Sequence, residues 1–320
     1  MDATLTSDDD DSSNDAIGRI VRNIARTTSA GQFSALSNTA WFKSTIPTLA
    51  ELGLINQTYA KLENHQWFAN VLPQPSAVDF ISARGLGWTY AQAFLKSGAR
   101  VIVHASIDVS LEEAWLKLSA FPEDRWQTCS FNVSDSDRVE AGITDLVTQG
   151  FAPSVLVNNA GIQRRGNLLD LESATWNDVI AVNLSGTYCV GAAVGRLMRD
   201  AGRGKIINIG SVTTERARKG VGPYTAAKFG VHGLTNAMAV DFAEWNIQVN
   251  TLSPGYFRTE MNAALVNDPQ FDRWLRDRTP ADRWGETEEL VGALLFFASV
   301  DSDFVTGQNM VIDGGMVAAL

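Results

Sequence analysis

Histidine and cysteine are scarce in this chain, with three and two residues among 320. Cys129 and Cys189 stand far apart in apolar surroundings, which suits small buried hydrophobes in a reducing cytoplasm rather than a disulfide pair. His65, His104 and His232 are equally scattered, so no zinc-ligand spacing exists. No apolar stretch approaches the length of a bilayer span, and a membrane partner is not expected. Cations are in deficit: 26 Lys and Arg against 36 Asp and Glu leave a formal net charge of −10. That balance disfavours nucleic acid, whose phosphates need clustered cations. The N-terminus also lacks the basic and apolar segments of a secretory signal, and its acidity is the opposite of a transit peptide.

A hydrophobic content of 45% is enough for a large core. It is unevenly spread. Residues 1–15 hold six aspartates among serine and asparagine, a composition that reads as a solvated acidic tail. Residues 16–72 carry Trp41 and Trp67 without a repeat or a long periodic pattern. The expected division is therefore an extension of unassigned role over 1–75 and one main domain over 76–320.

From residue 77 onward, short β-branched runs alternate with helical periodicity, the signature of parallel βαβ units. Strands are predicted at 77–81, 100–105, 127–132, 154–158, 205–210, 247–252 and 309–313. Helices are predicted at 86–98, 135–149, 174–200, 223–245 and, amphipathic, 286–299. Seven parallel strands with helices between them make an α/β doubly wound sheet of Rossmann type, and ligands bind such sheets at the carboxyl ends of the strands.

One cluster of residues carries proton-transfer chemistry. Tyr224 and Lys228 share a helix face at i and i+4. Ser211 follows the strand Gly204-Lys205-Ile206-Ile207-Asn208-Ile209-Gly210 directly, and Asn183 lies on the preceding long helix. A lysine beneath the phenol would stabilise its anion. Bringing a tyrosine from pH ~10 to near neutrality takes about 3 pK units, or roughly 4 kcal/mol. Tyr-x-x-x-Lys alone is also a common solvated helix face. What raises it above that reading is the company it keeps: Asn158-Asn159-Ala160-Gly161 after one buried strand and Pro254-Gly255 after another.

In this order and spacing, Asn-Asn-Ala-Gly, the Asn-Ser-Tyr-Lys set and the Pro-Gly turn resemble the short-chain dehydrogenase/reductase family. The resemblance implies that Tyr224 is the acid/base and that Ser211 holds the reacting oxygen. It also implies that Lys228 lowers the tyrosine pKa and binds the nicotinamide ribose, while the Asn183 side chain holds a water on the proton path. Nicotinamide contacts are implied for Asn159, Ala160, Gly161, Pro254, Gly255 and Thr259, and the two long helices are implied to join subunits into a homotetramer or homodimer. Three stretches, Gly161–Gly166, Pro254–Met261 and Arg278–Gly285, resemble more narrowly the branch that interconverts D-gluconate and its 5-keto form. A sugar acid needs a cation and polar groups, which points to Arg165 for the carboxylate and to Ser211, Glu215 and Tyr256 along the chain of hydroxyls. Arg283 reads as structurally paired with acidic neighbours such as Asp282. Phe271, Trp274 and Leu275, at helical spacing, fit either a lid or, more ordinarily, core packing.

The nucleotide end departs from the family. Its usual Thr-Gly-x-x-x-Gly-x-Gly turn is here Phe80-Ile81-Ser82-Ala83-Arg84-Gly85-Leu86-Gly87, with both final glycines kept but isoleucine at the first. A β-branched residue resists positive φ. Asp79 is equally awkward in a buried first strand. Three readings follow: a rebuilt loop in which Ser82, Gly85, Leu86 and Gly87 still hold phosphate, an aberrant start joined to an ordinary dehydrogenase, or a catalytically silent scaffold. No acid stands directly after the second strand, where one would accept ribose hydroxyls, and Arg84 and Ser106 suit a 2′-phosphate. NADP(H) is accordingly the preferred cofactor and NAD(H) the second candidate, with Asn132 and Val133 beside the adenine. A related keto-deoxy sugar acid or another small ketone is the alternative substrate.

Overall fold

Strand follows helix along the chain, as the alternating pattern dictates. The computed structural model describes residues 77–80 (backbone only), 85–106 and 114–319. All of them belong to one unit, Val71–Leu320. The extension expected over 1–75, together with Ile81, Ser82 and Arg84, lies outside the described residues, as do the side chains of Asp79 and Phe80.

The strands are β1 (Ala77–Phe80), β2 (Val101–Ala105), β3 (Trp126–Ser130), β4 (Val155–Asn158), β5 (Gly204–Ile209), β6 (Ile247–Pro254) and β7 (Asn309–Ile312). Every pairing is parallel. The ladders run β1-β4-β5-β6-β7 and, separately, β2-β3, so the single seven-stranded sheet expected from the sequence is divided. β2 lies beside β1, but the four residues of β1 pair in register only with β4. β4, β5 and β6 are buried along their whole length, which explains their near-continuous apolar and β-branched character.

The longer helices are α1 (Gly85–Lys96), α2 (Ser136–Thr148), α3 (Ser173–Ala201), α4 (Gly222–Phe242), α5 (Pro269–Arg276) and α6 (Val291–Ala298). α3 is interrupted by a π-helical turn at Ala181–Ser185. It is long and apolar enough to cross a membrane, contrary to the expectation that no stretch comes close, yet it packs here as a core helix with Val190, Ala193, Val194 and Met198 buried. The amphipathic helix expected at 286–299 is a 3₁₀ turn, Thr287–Leu290, leading into the apolar α6. Its start is fixed by a capping box between Glu286 and Glu289.

The polar residues inside this core are paired with one another. Asn158 Nδ2 donates to Asn208 Oδ1 at 2.9 Å, Asn208 Nδ2 to Thr235 Oγ1 at 2.9 Å, and Thr251 Oγ1 to the same Thr235 hydroxyl at 2.9 Å. Hydrogen bonding makes their burial affordable. The chain of bonds also ties β4, β5 and β6 to α4, the helix that carries Tyr224 and Lys228.

Candidate active site

Parallel pairing sets the carboxyl ends of β4, β5 and β6 along one edge, so the segments following them converge. β5 runs through Gly210 into Ser211, whose backbone is extended and whose Oγ accepts from the Thr213 N–H at 3.2 Å, capping the 3₁₀ turn Val212–Thr214. Tyr224 stands in the first turn of α4, directly after Pro223, with Ser211 near enough to pull its pKa down. Lys228 lies one turn further, 4% exposed. Its Nζ donates to the Ile209 carbonyl at 2.5 Å and sits 5.7 Å from the Tyr224 ring centroid.

The electrostatics differ from the expectation that Lys228 lowers the Tyr224 pKa. Burial pushes the phenol above its ordinary value, the neighbouring Ser211 hydroxyl pulls it down by less, and nearby Tyr256 pushes it up further. Burial also brings Lys228 down to about 8. The reason is that both groups are out of water and the ammonium is aimed at a strand carbonyl rather than at the phenol oxygen. The resting protein therefore holds Tyr224 as a neutral phenol, able to donate a proton to a substrate oxygen.

Asn183 is fully buried in the π turn of α3. Its Nδ2 donates to the Ile162 carbonyl at 2.7 Å and its Oδ1 accepts from the Ile162 N–H at 2.8 Å. A Cβ at Gly161 would come within 2.7 Å of that Oδ1, which accounts for the glycine. The side chain expected to hold a water is thus committed to clamping the Asn159-Ala160-Gly161 turn, whose three residues are half-buried at the end of β4.

On the nucleotide side, α1 opens at Gly85 with a left-handed backbone, φ +57°, that L side chains rarely adopt. Its first turn contains no acid, Gly87 is buried and Leu86 half-buried. Thr259 faces this start, its Cβ 3.9 Å from where a Gly85 Cβ would be. Gly255, after Pro254, lies against β7, its N–H donating to the Ile312 carbonyl at 2.8 Å. A helix start free of negative charge, reached through glycines, fits a dinucleotide pyrophosphate. Ser106 is exposed just beyond β2. Asn132 spends its Oδ1 on the backbone and hydroxyl of Ser134, and the Val133 side chain is buried against Gly186. Asn132 is exposed and only its Oδ1 is engaged there, while Val133 packs against α3.

On the substrate side, Tyr256 packs among Phe271, Trp274 and Trp284 with ring centroids 5.7, 6.2 and 5.9 Å away. Glu215 is exposed and accepts from Asn309 Nδ2 at 3.0 Å. Arg165 is exposed and forms no ion pair among the described residues. Arg283 is structural, as expected, but pairs bidentately with Glu289 at 2.7 Å, while Asp282 goes to Arg276. Of the 271–275 stripe, Leu275 is core, whereas Phe271 and Trp274 are half-buried beside Tyr256. Sequence reasoning missed Arg218, which stacks on this aromatic group. It stands within Glu215-Arg216-Ala217-Arg218-Lys219, a run that reads as a solvated loop.

A parallel α/β sheet with serine, tyrosine and lysine gathered at its strand ends, beside a helix opened by glycines, defines a nucleotide-dependent oxidoreductase. Residues 81–317 match the family profile described as Enoyl-(Acyl carrier protein) reductase. The chain is 43% identical to gluconate 5-dehydrogenase of Gluconobacter oxydans (strain 621H) over 241 residues, covering 75% of this chain and 93% of that protein. It is 42% identical to 5-keto-D-gluconate 5-reductase of Escherichia coli (strain K12), covering 75% and 94%. Among solved structures it resembles a gluconate 5-dehydrogenase from Burkholderia cenocepacia J2315 in complex with NADP and tartrate, with 41% identity, a TM-score of 0.73, and 78% of this chain and 98% of that one covered. The chain belongs to the short-chain dehydrogenase/reductase family and is an oxidoreductase acting on CH–OH groups.

Proposed function

We propose that this protein interconverts D-gluconate and 5-dehydro-D-gluconate with NADP(H), in the cytoplasm, where its two unpaired cysteines stay reduced. The observation that carries the reading is the Ser211–Tyr224–Lys228 geometry in a chain more than 40% identical to gluconate enzymes, one of them solved with NADP. Gly85, Leu86, Gly87 and the neighbouring Ser82 and Arg84 would hold the pyrophosphate and 2′-phosphate, with Ser106 beside them. Asn159, Ala160, Gly161, Pro254, Gly255 and Thr259 would form the nicotinamide side, and the backbone at Asn132 and Val133 would border the adenine. When bound, the cofactor supplies the hydride donor or acceptor and, oxidised, a positive charge near the phenol.

The chain's own residues manage the proton. In reduction, Tyr224 donates its phenolic proton to the substrate oxygen while Ser211 holds that oxygen by hydrogen bond. Oxidation reverses the transfer. Lys228, held on Ile209, would supply a replacement proton, and Asn183 keeps the 159–161 turn in place. Arg165, Glu215 and Tyr256 line the substrate side. NAD(H) is the alternative cofactor and a keto-deoxy sugar acid the alternative substrate.

The test is direct. Purified full-length protein should oxidise NADPH with 5-dehydrogluconate and reduce NADP⁺ with gluconate, at kcat/KM at least tenfold above NADH and above a 3-deoxy-2-keto analogue. Binding of NADPH without turnover of any sugar acid would instead support the silent scaffold, and preferential turnover of the analogue would move the substrate assignment.

A further inference from the structure

Arg218 is a cation with a built seat and, among the described residues, no acid to neutralise it. Its guanidinium lies 4.7 Å from the Phe271 ring centroid and 5.8 Å from that of Trp274, and Nη1 donates to the Tyr256 hydroxyl oxygen at 3.3 Å. It is half-buried, yet no carboxylate lies within ion-pair distance among the described residues. The arginines around it are satisfied differently. Arg216 bonds the Val317 carbonyl, Arg258 pairs with Glu286, Arg276 with Asp282 and Arg283 with Glu289. Tyr256 in turn lies within electrostatic reach of the Tyr224 phenol.

We propose that Arg218 and Tyr256 form the seat for the carboxylate of an anionic substrate whose reacting carbon is held at Tyr224 and Ser211. A guanidinium laid on aromatic faces keeps its edge N–H groups free, and those match a carboxylate bidentately. By accepting from Arg218, the Tyr256 oxygen leaves its own O–H available to the same anion. Phe271 and Trp274 fix the plane of the cation and exclude water from one side, which strengthens the pairing relative to a solvated arginine. Arg165, exposed and without such support, can approach the same anion only from the solvent side. The sugar acid class is thereby selected over neutral polyols by a preorganised charge.

This inference rests on the proposed sugar acid chemistry only for the identity of the substrate, so binding and turnover are measured separately. With NADPH bound, which leaves gluconate without a hydride acceptor, tartrate, gluconate and neutral glucitol are titrated calorimetrically into full-length protein. The comparison covers wild type, Arg218→Gln, Arg218→Lys and Arg216→Gln, whose folding is checked by circular dichroism and Tm. Wild type should bind both acids at least tenfold more tightly than glucitol. Arg218→Gln should lose at least tenfold for the acids with glucitol unchanged within threefold, Arg218→Lys should recover part of that loss, and Arg216→Gln should match wild type. Three results each overturn the proposal: acid affinity in Arg218→Gln within threefold of wild type, equal losses for acid and polyol, or a wild type that binds neither acid. Failure of the gluconate assignment shows differently, as acid binding that depends on Arg218 without gluconate turnover.

Discussion

Lys228 is drawn in two directions: its position near Tyr224 calls for a charge, while burial at 4% exposure resists one. Its folded pKa, about 8, is below the 10.5 of an exposed lysine, so protonating it costs the folded state more than the unfolded. That penalty is complete below about pH 8 and fades as pH rises toward 10.5. Urea unfolding of wild type and Lys228→Met should therefore diverge in favour of wild type by about 2 kcal/mol between pH 8 and pH 10. The raised phenol of Tyr224 acts in the opposite sense but only above its ordinary range near 10, outside this window. A constant difference across the window would show that Lys228 is hydrated in solution. Tyr224→Phe removes the transferable proton and nothing from the helix start. Its kcat should fall at least a hundredfold while the NADPH Kd, read by fluorescence, stays within threefold. Retention of more than a few per cent of the wild-type rate would reassign the acid.

Helix α3 shows where an element departs from its own periodicity for a reason. The π turn at Ala181–Ser185 places a buried Asn183 against Ile162, and both backbone groups of Ile162 depend on that one amide. Asn183→Ala leaves two half-buried groups unpaired, at about 1–3 kcal/mol each. Thermal and urea unfolding should show a loss of about 2–4 kcal/mol, and kcat should fall with it because the nicotinamide-side turn loosens. An unchanged stability would mean that water replaces the amide. The strands around this turn were readable because buried parallel strands write continuous β-branched runs, and Val155–Asn158, Gly204–Ile209 and Ile247–Pro254 came within a few residues of expectation. Ser211, Tyr224 and Lys228 were readable for a similar reason, since fixed spacing on one helix and one strand end implies proximity. The π turn was not, because i→i+5 bonding answers to a distant backbone at Ile162 rather than to local pattern. Arg218 was hidden among loop charges for the same reason: its aromatic partners lie some fifty residues away.

At the scale of the whole molecule, α3 and α4 pose a question of cover. Each packs one side on the sheet, yet Tyr188 on α3 is 56% exposed, and Phe229 and Val240 on α4 are 47% and 79% exposed. Exposed apolar side chains that gather into one patch mark an association surface, whereas singly scattered ones do not. We propose that a second copy of the chain covers them, giving a homodimer or homotetramer. A net charge of −10 works against such self-association at low ionic strength, so added salt should favour it. Sedimentation of wild type should give two or four times the monomer mass. Phe229→Glu places a carboxylate on this exposed face of α4 and should shift the protein to monomer, more completely at low salt. Because α4 also carries Tyr224 and Lys228, the monomer should lose thermal stability at the catalytic end, with kcat falling and the NADPH Kd less affected. A wild type that sediments as a monomer at micromolar concentration would leave these side chains as solvent-facing exceptions and remove assembly from the account of how α4 is held.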